Sequence, residues 1–240
     1  MGYRVEFEER VGPVISNDAG KQERIKYDVK NDRYSLYAGI KEFRHEHPST
    51  FLYGFTGGPI TLASYILAGG SDRDLTRTIS SILKDRNAFR ELTNDIFDMV
   101  ISTAREQVRS GADAIQIFDS WSGSLPYSLF TDYVNDYLIP LSSELSSIPT
   151  VYFSTRTAGY APLLTRTEFQ YLSMDSRCRL SSMDEVFRSA KGLQGNLDPL
   201  YTTVNAEVAV SETQKILDDA RNIDRYVFNL GHGVLPETST

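Results

Sequence analysis

Several groups of residues have types and spacing that could do chemistry. Asp119-Ser120-Trp121 puts a carboxylate beside a hydroxyl at the end of the apolar run Ala112 to Phe118. That pairing suits a site at a strand end, and it suits a helix cap, because Asp and Ser are favoured capping residues. His232 stands between Gly231 and Gly233, just after the apolar run Tyr226 to Leu230. Histidine is the side chain most easily tuned for proton transfer near neutrality. Its strand-end position and flanking glycines together favour a site residue over a plain turn histidine. Gly54-Phe55-Thr56-Gly57-Gly58-Pro59 puts bare backbone at a helix start. Free N–H groups and the helix dipole there favour an anion such as a carboxylate. A tight turn that needs glycine fits the same residues. Gln194 to Pro199 (QGNLDP) reads as a turn aimed at a polar ligand, or as an Asx-type turn pinned by Pro199.

Other residues are weaker candidates. Tyr65 lies two turns into the helix after Pro59, where core packing competes with a hydroxyl at the mouth of a site. His45 and His47 form a His-x-His before Pro48. Two histidines do not complete a metal shell, so a solvated loop is the better reading. Cys178 is flanked by Arg177 and Arg179, which could lower its pKa. With no histidine close in sequence, it reads as an ordinary thiol. No Gly-x-Ser-x-Gly elbow surrounds Ser120, which weakens a serine-hydrolase reading.

The elements that must position these residues alternate in type. Strands are expected at Phe51 to Phe55, Ala112 to Phe118, Thr150 to Phe153, Tyr171 to Met174, Gly192 to Leu197 and Tyr226 to Leu230. Helices are expected from Pro59 to Gly69, about Asp85 to Ser110, Leu129 to Leu138, about Asp184 to Ala190 and Ala206 to Arg221. The polar stretch Asn17 to Arg33 reads as a loop and helix outside the sheet. Strand-then-helix order implies a parallel sheet with helical crossovers. The candidate residues fall at strand C-termini, where (β/α) barrels and doubly wound sheets both place their sites. No Gly-x-Gly-x-x-Gly turn follows the first strand, so a barrel is favoured.

Composition narrows the function. Lys plus Arg is 25 against 32 Asp plus Glu, a formal charge of −7 over 240 residues. That balance argues against a broad nucleic-acid surface or a polybasic membrane segment. The single cysteine excludes an intramolecular disulfide and a multi-cysteine zinc cage. Met1 to Arg10 has no apolar core for a signal peptide. A cytoplasmic protein of one domain, residues 1–240, is expected.

Taken together the motifs resemble the uroporphyrinogen decarboxylase family. The matching runs are GFTGGPITLASYILAGG (Gly54 to Gly70), GADAIQIFDSWSG (Gly111 to Gly123), GLQGNLDP (Gly192 to Pro199) and FNLGHGVLPET (Phe228 to Thr238). The opening MGYRVEFEERVGPVISN is similar to the family's segment after its second barrel strand. The resemblance implies an α/β fold of the (β/α)8 TIM-barrel type, with about six of the eight β/α units in this chain. It implies a homodimer and a cofactor-free, metal-free decarboxylation of the four acetate arms of uroporphyrinogen III to coproporphyrinogen III. By matched position, Tyr65, Ser120 and His232 would bind substrate, and Phe55 and Phe118 would pack against the macrocycle. The same positional matching gives Asp119 no catalytic role.

Two departures follow from the same comparison. The family's Arg-Gln-Ala-Gly-Arg run and its catalytic aspartate after the second strand have no match in this sequence, so no catalytic residue is assigned. The chain is therefore expected to be incomplete at its N-terminus, and also at its C-terminus, since it stops at Thr240 where the family continues into a closing helix. Six strands would leave open edges and an apolar groove beside Phe51 to Phe55. A non-catalytic porphyrinogen-binding protein on the same scaffold is the alternative. A corrinoid-dependent methyltransferase of the same superfamily ranks below it, because a zinc thiolate site lacks ligands here.

Overall fold

Long-range order comes from short parallel strands that alternate with helices. The computed structural model describes residues 5–8, 12–15, 36–188 and 190–238. They fall into two compact units, Met1–Leu125 and Pro126–Thr240.

In the first unit, β1 (Val5–Glu8) and β2 (Gly12–Ile15) form an antiparallel hairpin, with Val5 opposite Ile15. Helix α1 (Leu36–Glu46) leads to β3 (Tyr53–Gly57). Then come α2 (Pro59–Ala68), α3 (Thr76–Lys84), α4 (Arg86–Ser110) and β4 (Ala114–Phe118). β3 runs parallel to β4, with Phe55 opposite Gln116 and Gly57 opposite Phe118. Arg44 of α1 ties the strand entrances together. Its guanidinium donates to the carbonyls of Pro48, Thr50 and Gly111 and pairs with Asp113. The Leu52 N–H foremost, and Arg44 with it, hold the Asp113 carboxyl below the usual range.

Helix ends follow local chemistry. Pro59 opens α2, and Gly69 closes it at φ 68°. Asp85 caps α4 by accepting from the N–H groups of Asn87 (3.1 Å) and Ala88 (3.0 Å), and Gly111 ends it. Ile96, Val100 and Ala104 are completely buried along α4. One turn further on, Gln107 is buried too, and its amide serves β3. It donates to the Phe55 carbonyl at 2.8 Å and accepts from the Phe55 N–H at 3.0 Å. A Cβ on Gly54 would lie 2.7 Å from the Gln107 oxygen, which explains the glycine.

The second unit continues the alternation. Helix α5 (Tyr127–Tyr133) passes through a π-helical turn (Val134–Leu138) into α6 (Ile139–Glu144). Then follow β5 (Thr150–Phe153), α7 (Ala161–Leu164), β6 (Tyr171–Ser173), α8 (Leu180–Phe187), β7 (Gly192–Leu197), α9 (Ala206–Asp219) and β8 (Tyr226–Leu230). β5, β6, β7 and β8 pair in that order, all parallel. Tyr152 stacks on Phe169 with ring centroids 5.1 Å apart and anchors the core. The fold is α/β of the TIM-barrel type, with six parallel strands among the described residues.

Several expected boundaries shift. The first strand lies at 53–57 rather than 51–55, because Leu52 pairs with Asp113 through backbone and carboxylate instead of joining the ladder. The strand expected from Ala112 starts at Ala114. Helix α3 was not anticipated. It is set off by buried Leu75 in the left-handed region, at φ 53°. The stretch Asn17 to Arg33 lies outside the described residues. Where an apolar groove is expected, Phe51, Tyr53 and Phe55 are 62%, 40% and 57% exposed.

Candidate functional site

The C-terminal ends of β3 and β4 are built around Asp119. This residue is fully buried, and its Oδ1 accepts from the Thr61 N–H at 2.8 Å. Thr61 is the third residue of α2, so Asp119 caps a helix that is not its own neighbour in sequence. The Thr61 hydroxyl in turn accepts from the Trp121 N–H at 3.3 Å, and the Gly58 N–H donates to the Phe118 carbonyl at 2.8 Å. A Cβ on Gly58 would lie 2.2 Å from the Asp119 Cβ, so only glycine fits there. The anion expected at the start of α2 is thus the chain's own carboxylate.

Above this frame stand aromatic side chains. Tyr65 of α2 lies 4.7 Å, ring to ring, from Trp121. Burial pushes the Tyr65 hydroxyl pKa up, and the charge of Arg73 opposes the rise. Ser120 is half-buried between Asp119 and Trp121. Phe55 and Phe118 share one face of the β3–β4 pair and meet edge to face at 6.1 Å. Phe55 is 57% exposed and Phe118 38%. Large aromatic side chains left bare on a strand face mark a surface suited to cover by an apolar ligand.

His232 belongs to the second unit. It follows β8, is exposed, and its ring lies edge-on to Phe153 at 6.2 Å. Gly231 is needed for packing, since a Cβ would lie 2.6 Å from the Ser176 nitrogen. Nothing lies within 4 Å of a Cβ on Gly233. In this unit the histidine gathers with an aromatic residue, as the tyrosine does in the first.

The amide-rich run on β7 is scaffold. Asn196 Nδ2 donates to the carbonyls of Asp175 and Cys178, both at 2.9 Å, and Gln194 donates to the Ser173 hydroxyl at 3.3 Å. Asp198 accepts from the Leu200 N–H at 3.0 Å and from the Ser176 hydroxyl at 2.7 Å. The Asx-type turn before Pro199 is therefore the correct reading, because these polar groups bond inside the fold. Asp175, 2% exposed, accepts from the Arg156 N–H and from Arg177, each at 2.9 Å.

Cys178 differs from one electrostatic expectation. Its flanking arginines turn to Asp175 and Asp219 instead. Burial first, and the Asp175 charge second, push the thiol up to about 12, so it stays neutral. The solvated loop expected at His45 is instead the last turn of α1, where His45 is exposed, and the His47 ring just beyond it sits 4.9 Å from Phe43. Among the described residues no three His, Cys, Asp or Glu side chains are grouped to hold a metal ion. Among them, too, no helix is long and apolar enough to cross a membrane. Thr61 and Phe153 were not legible in the sequence as site neighbours, and Trp121 was marked only as part of the Asp119-Ser120-Trp121 run. The signal for Thr61 was a hydroxyl at the third position of a helix with no capping side chain of its own.

Comparison with known proteins shows the family. The family model described as uroporphyrinogen decarboxylase (URO-D) matches residues 1–240. A uroporphyrinogen decarboxylase of Thermoplasma acidophilum is 38% identical, over 99% of this chain and 72% of its own length. One from Picrophilus torridus is 41% identical, over 99% of this chain and 71% of its own. One from Aquifex aeolicus is 32% identical, over 99% and 70%. Among solved structures, a methyltransferase from Methanosarcina mazei superposes with a TM-score of 0.74 at 18% identity, over 100% of this chain and 72% of its own. That last likeness concerns the fold alone.

Proposed function

The chain belongs to the uroporphyrinogen decarboxylase family, and we propose that it binds uroporphyrinogen and removes carbon dioxide from its acetate arms to give coproporphyrinogen. The observation that carries this reading is the bare pair Phe55 and Phe118, on one face beside the strand ends that hold Asp119, Ser120 and Trp121. The pyrrole rings of the tetrapyrrole offer apolar area for those side chains. Fully burying one such side chain is worth about 1.5–3 kcal/mol.

The substrate supplies its own electron sink. Protonation of a pyrrole carbon makes the ring cationic, and the bond to the carboxylate then breaks. The electron pair moves into the ring, carbon dioxide leaves, and the exposed exocyclic carbon takes a proton. The ring finally releases the proton that it gained. What the protein adds is position and electrostatic support for the cationic ring. In this reading Tyr65, Ser120 and His232 bind polar arms, and Phe55 and Phe118 hold the macrocycle. Cytoplasmic residence and a pair of identical chains are proposed with it, on the family resemblance.

A second reading is binding without turnover. Asp119 and Asp175, the buried aspartates nearest to the strand ends, are both engaged in structure. Trp121 is the sole tryptophan and touches Tyr65, so it reports on the site. Titration with uroporphyrin should quench its fluorescence, and Phe55→Ala with Phe118→Ala should weaken binding at least about tenfold. No quenching by uroporphyrin, with the chain folded, would contradict both readings. Quenching without decarboxylation of the reduced substrate would select the second.

A further inference from the structure

Arg73 sits in the loop between α2, which carries Tyr65, and α3. That loop is fixed at several points. Gly69 turns the chain out of α2, and Arg77 donates to the Ala68 carbonyl at 2.9 Å. The Asp72 carboxylate accepts from the Thr78 N–H at 2.9 Å and from the Thr78 hydroxyl at 2.8 Å. The Leu75 N–H donates to the Asp72 carbonyl at 2.8 Å, and Leu75 is fully buried. Between these anchors, the Ser124 hydroxyl donates to the carbonyl of Arg73 itself at 3.1 Å. Ser124 lies three residues after Trp121, so this bond joins the loop to the segment that stacks on Tyr65.

The Arg73 side chain is exposed, and no carboxylate among the described residues bonds its guanidinium. The other described arginines of this unit are all engaged. Arg44 pairs with Asp113, Arg77 with a carbonyl and Arg109 with Glu106, and Arg86, Arg90 and Arg105 have contacts too. Of the two adjacent carboxylates, Asp72 is turned to the start of α3, and Asp74 has a contact of its own that is not with Arg73. A guanidinium with no carboxylate partner among the described residues, on a pinned loop in a chain of net charge −7, is a ready partner for an acid group. Its charge already reaches the site, since it opposes the rise in the Tyr65 pKa.

We propose that Arg73 anchors one carboxylate arm of the tetrapyrrole at the rim of the Tyr65–Trp121 site. This rests on the proposed function. It adds a specific acid-binding residue to a unit whose other site residues are aromatic or neutral, apart from a carboxylate turned inward.

The test is a titration of the full chain with uroporphyrin, followed by Trp121 fluorescence at several salt concentrations. Arg73→Gln should raise the Kd about tenfold, the effect of losing one charge-assisted contact, and Arg73→Lys should raise it less. The Gln variant should also flatten the dependence of Kd on salt, a change that mere loosening of the loop would not give. If the wild type binds and Arg73→Gln binds equally well with the same salt slope, Arg73 is not an anchor. If the wild type does not bind at all, the tetrapyrrole reading falls, and this proposal with it.

Discussion

At Asp119 one buried carboxylate caps α2 and leaves a place for it beside Gly58. Asp119→Ala would strand the Thr61 N–H and open a cavity. We expect a loss of about 2–3 kcal/mol in urea unfolding. Asp119→Asn keeps an oxygen for that bond and should lose about 1 kcal/mol. Cys178 makes a separate prediction. Its thiol pKa is raised from 9.0 to about 12, so the folded chain holds the proton more tightly than the unfolded chain does. Its contribution to stability is intact below pH 9.0 and is lost as pH rises from there toward about 12. Iodoacetamide at pH 9 should modify Cys178 at least about a hundredfold more slowly in the folded chain than in urea, read by mass spectrometry. Rapid labelling of the folded chain would contradict the buried, neutral thiol. The identity of these residues was legible in the sequence, but their partners were not. Asp119 could be a cap or a site residue, and the helix that it caps begins 60 residues earlier. Cys178 is the ordinary, neutral thiol that the sequence suggests, but adjacency does not show that its flanking arginines turn to Asp175 and Asp219.

At the scale of elements, β3 takes a side chain where a strand neighbour would otherwise bond. Gln107 of α4 satisfies both backbone groups of Phe55. Gln107→Leu would leave that buried contact unmade and should cost about 2 kcal/mol, measured by thermal or urea unfolding. An unchanged midpoint would show that water or relaxation replaces the amide. Helix α2 was well marked, because Pro59 and Gly69 fix its ends by covalent geometry. The strands Thr150–Phe153, Gly192–Leu197 and Tyr226–Leu230 were equally clear. Helix α3 was hidden by the polar turn Ser71 to Asp74, which reads as loop. The amides on β7 looked like ligand groups, but they are spent on neighbouring carbonyls, a pairing that depends on which strand lies beside them.

For the molecule as a whole, the parallel strand-and-helix order was legible because each strand is apolar and each helix amphipathic. The family followed from motifs held in one order along the chain. The exposure of Phe51, Tyr53 and Phe55 falls where six strands are expected to leave an apolar groove. Its use depends on what covers the rings, which spacing does not encode. Because Phe55 is 57% exposed, Phe55→Ala should change unfolding stability by less than about 0.5 kcal/mol while weakening tetrapyrrole binding. Equal losses of stability and binding would assign the ring to the core.

Anaerobic incubation of the purified chain with uroporphyrinogen tests the central claim most directly, with products separated by their number of carboxylates. Carbon dioxide should be released, partly decarboxylated intermediates should form, and coproporphyrinogen should accumulate. Substrate recovered unchanged, from a folded chain shown to bind it, would contradict the decarboxylase reading.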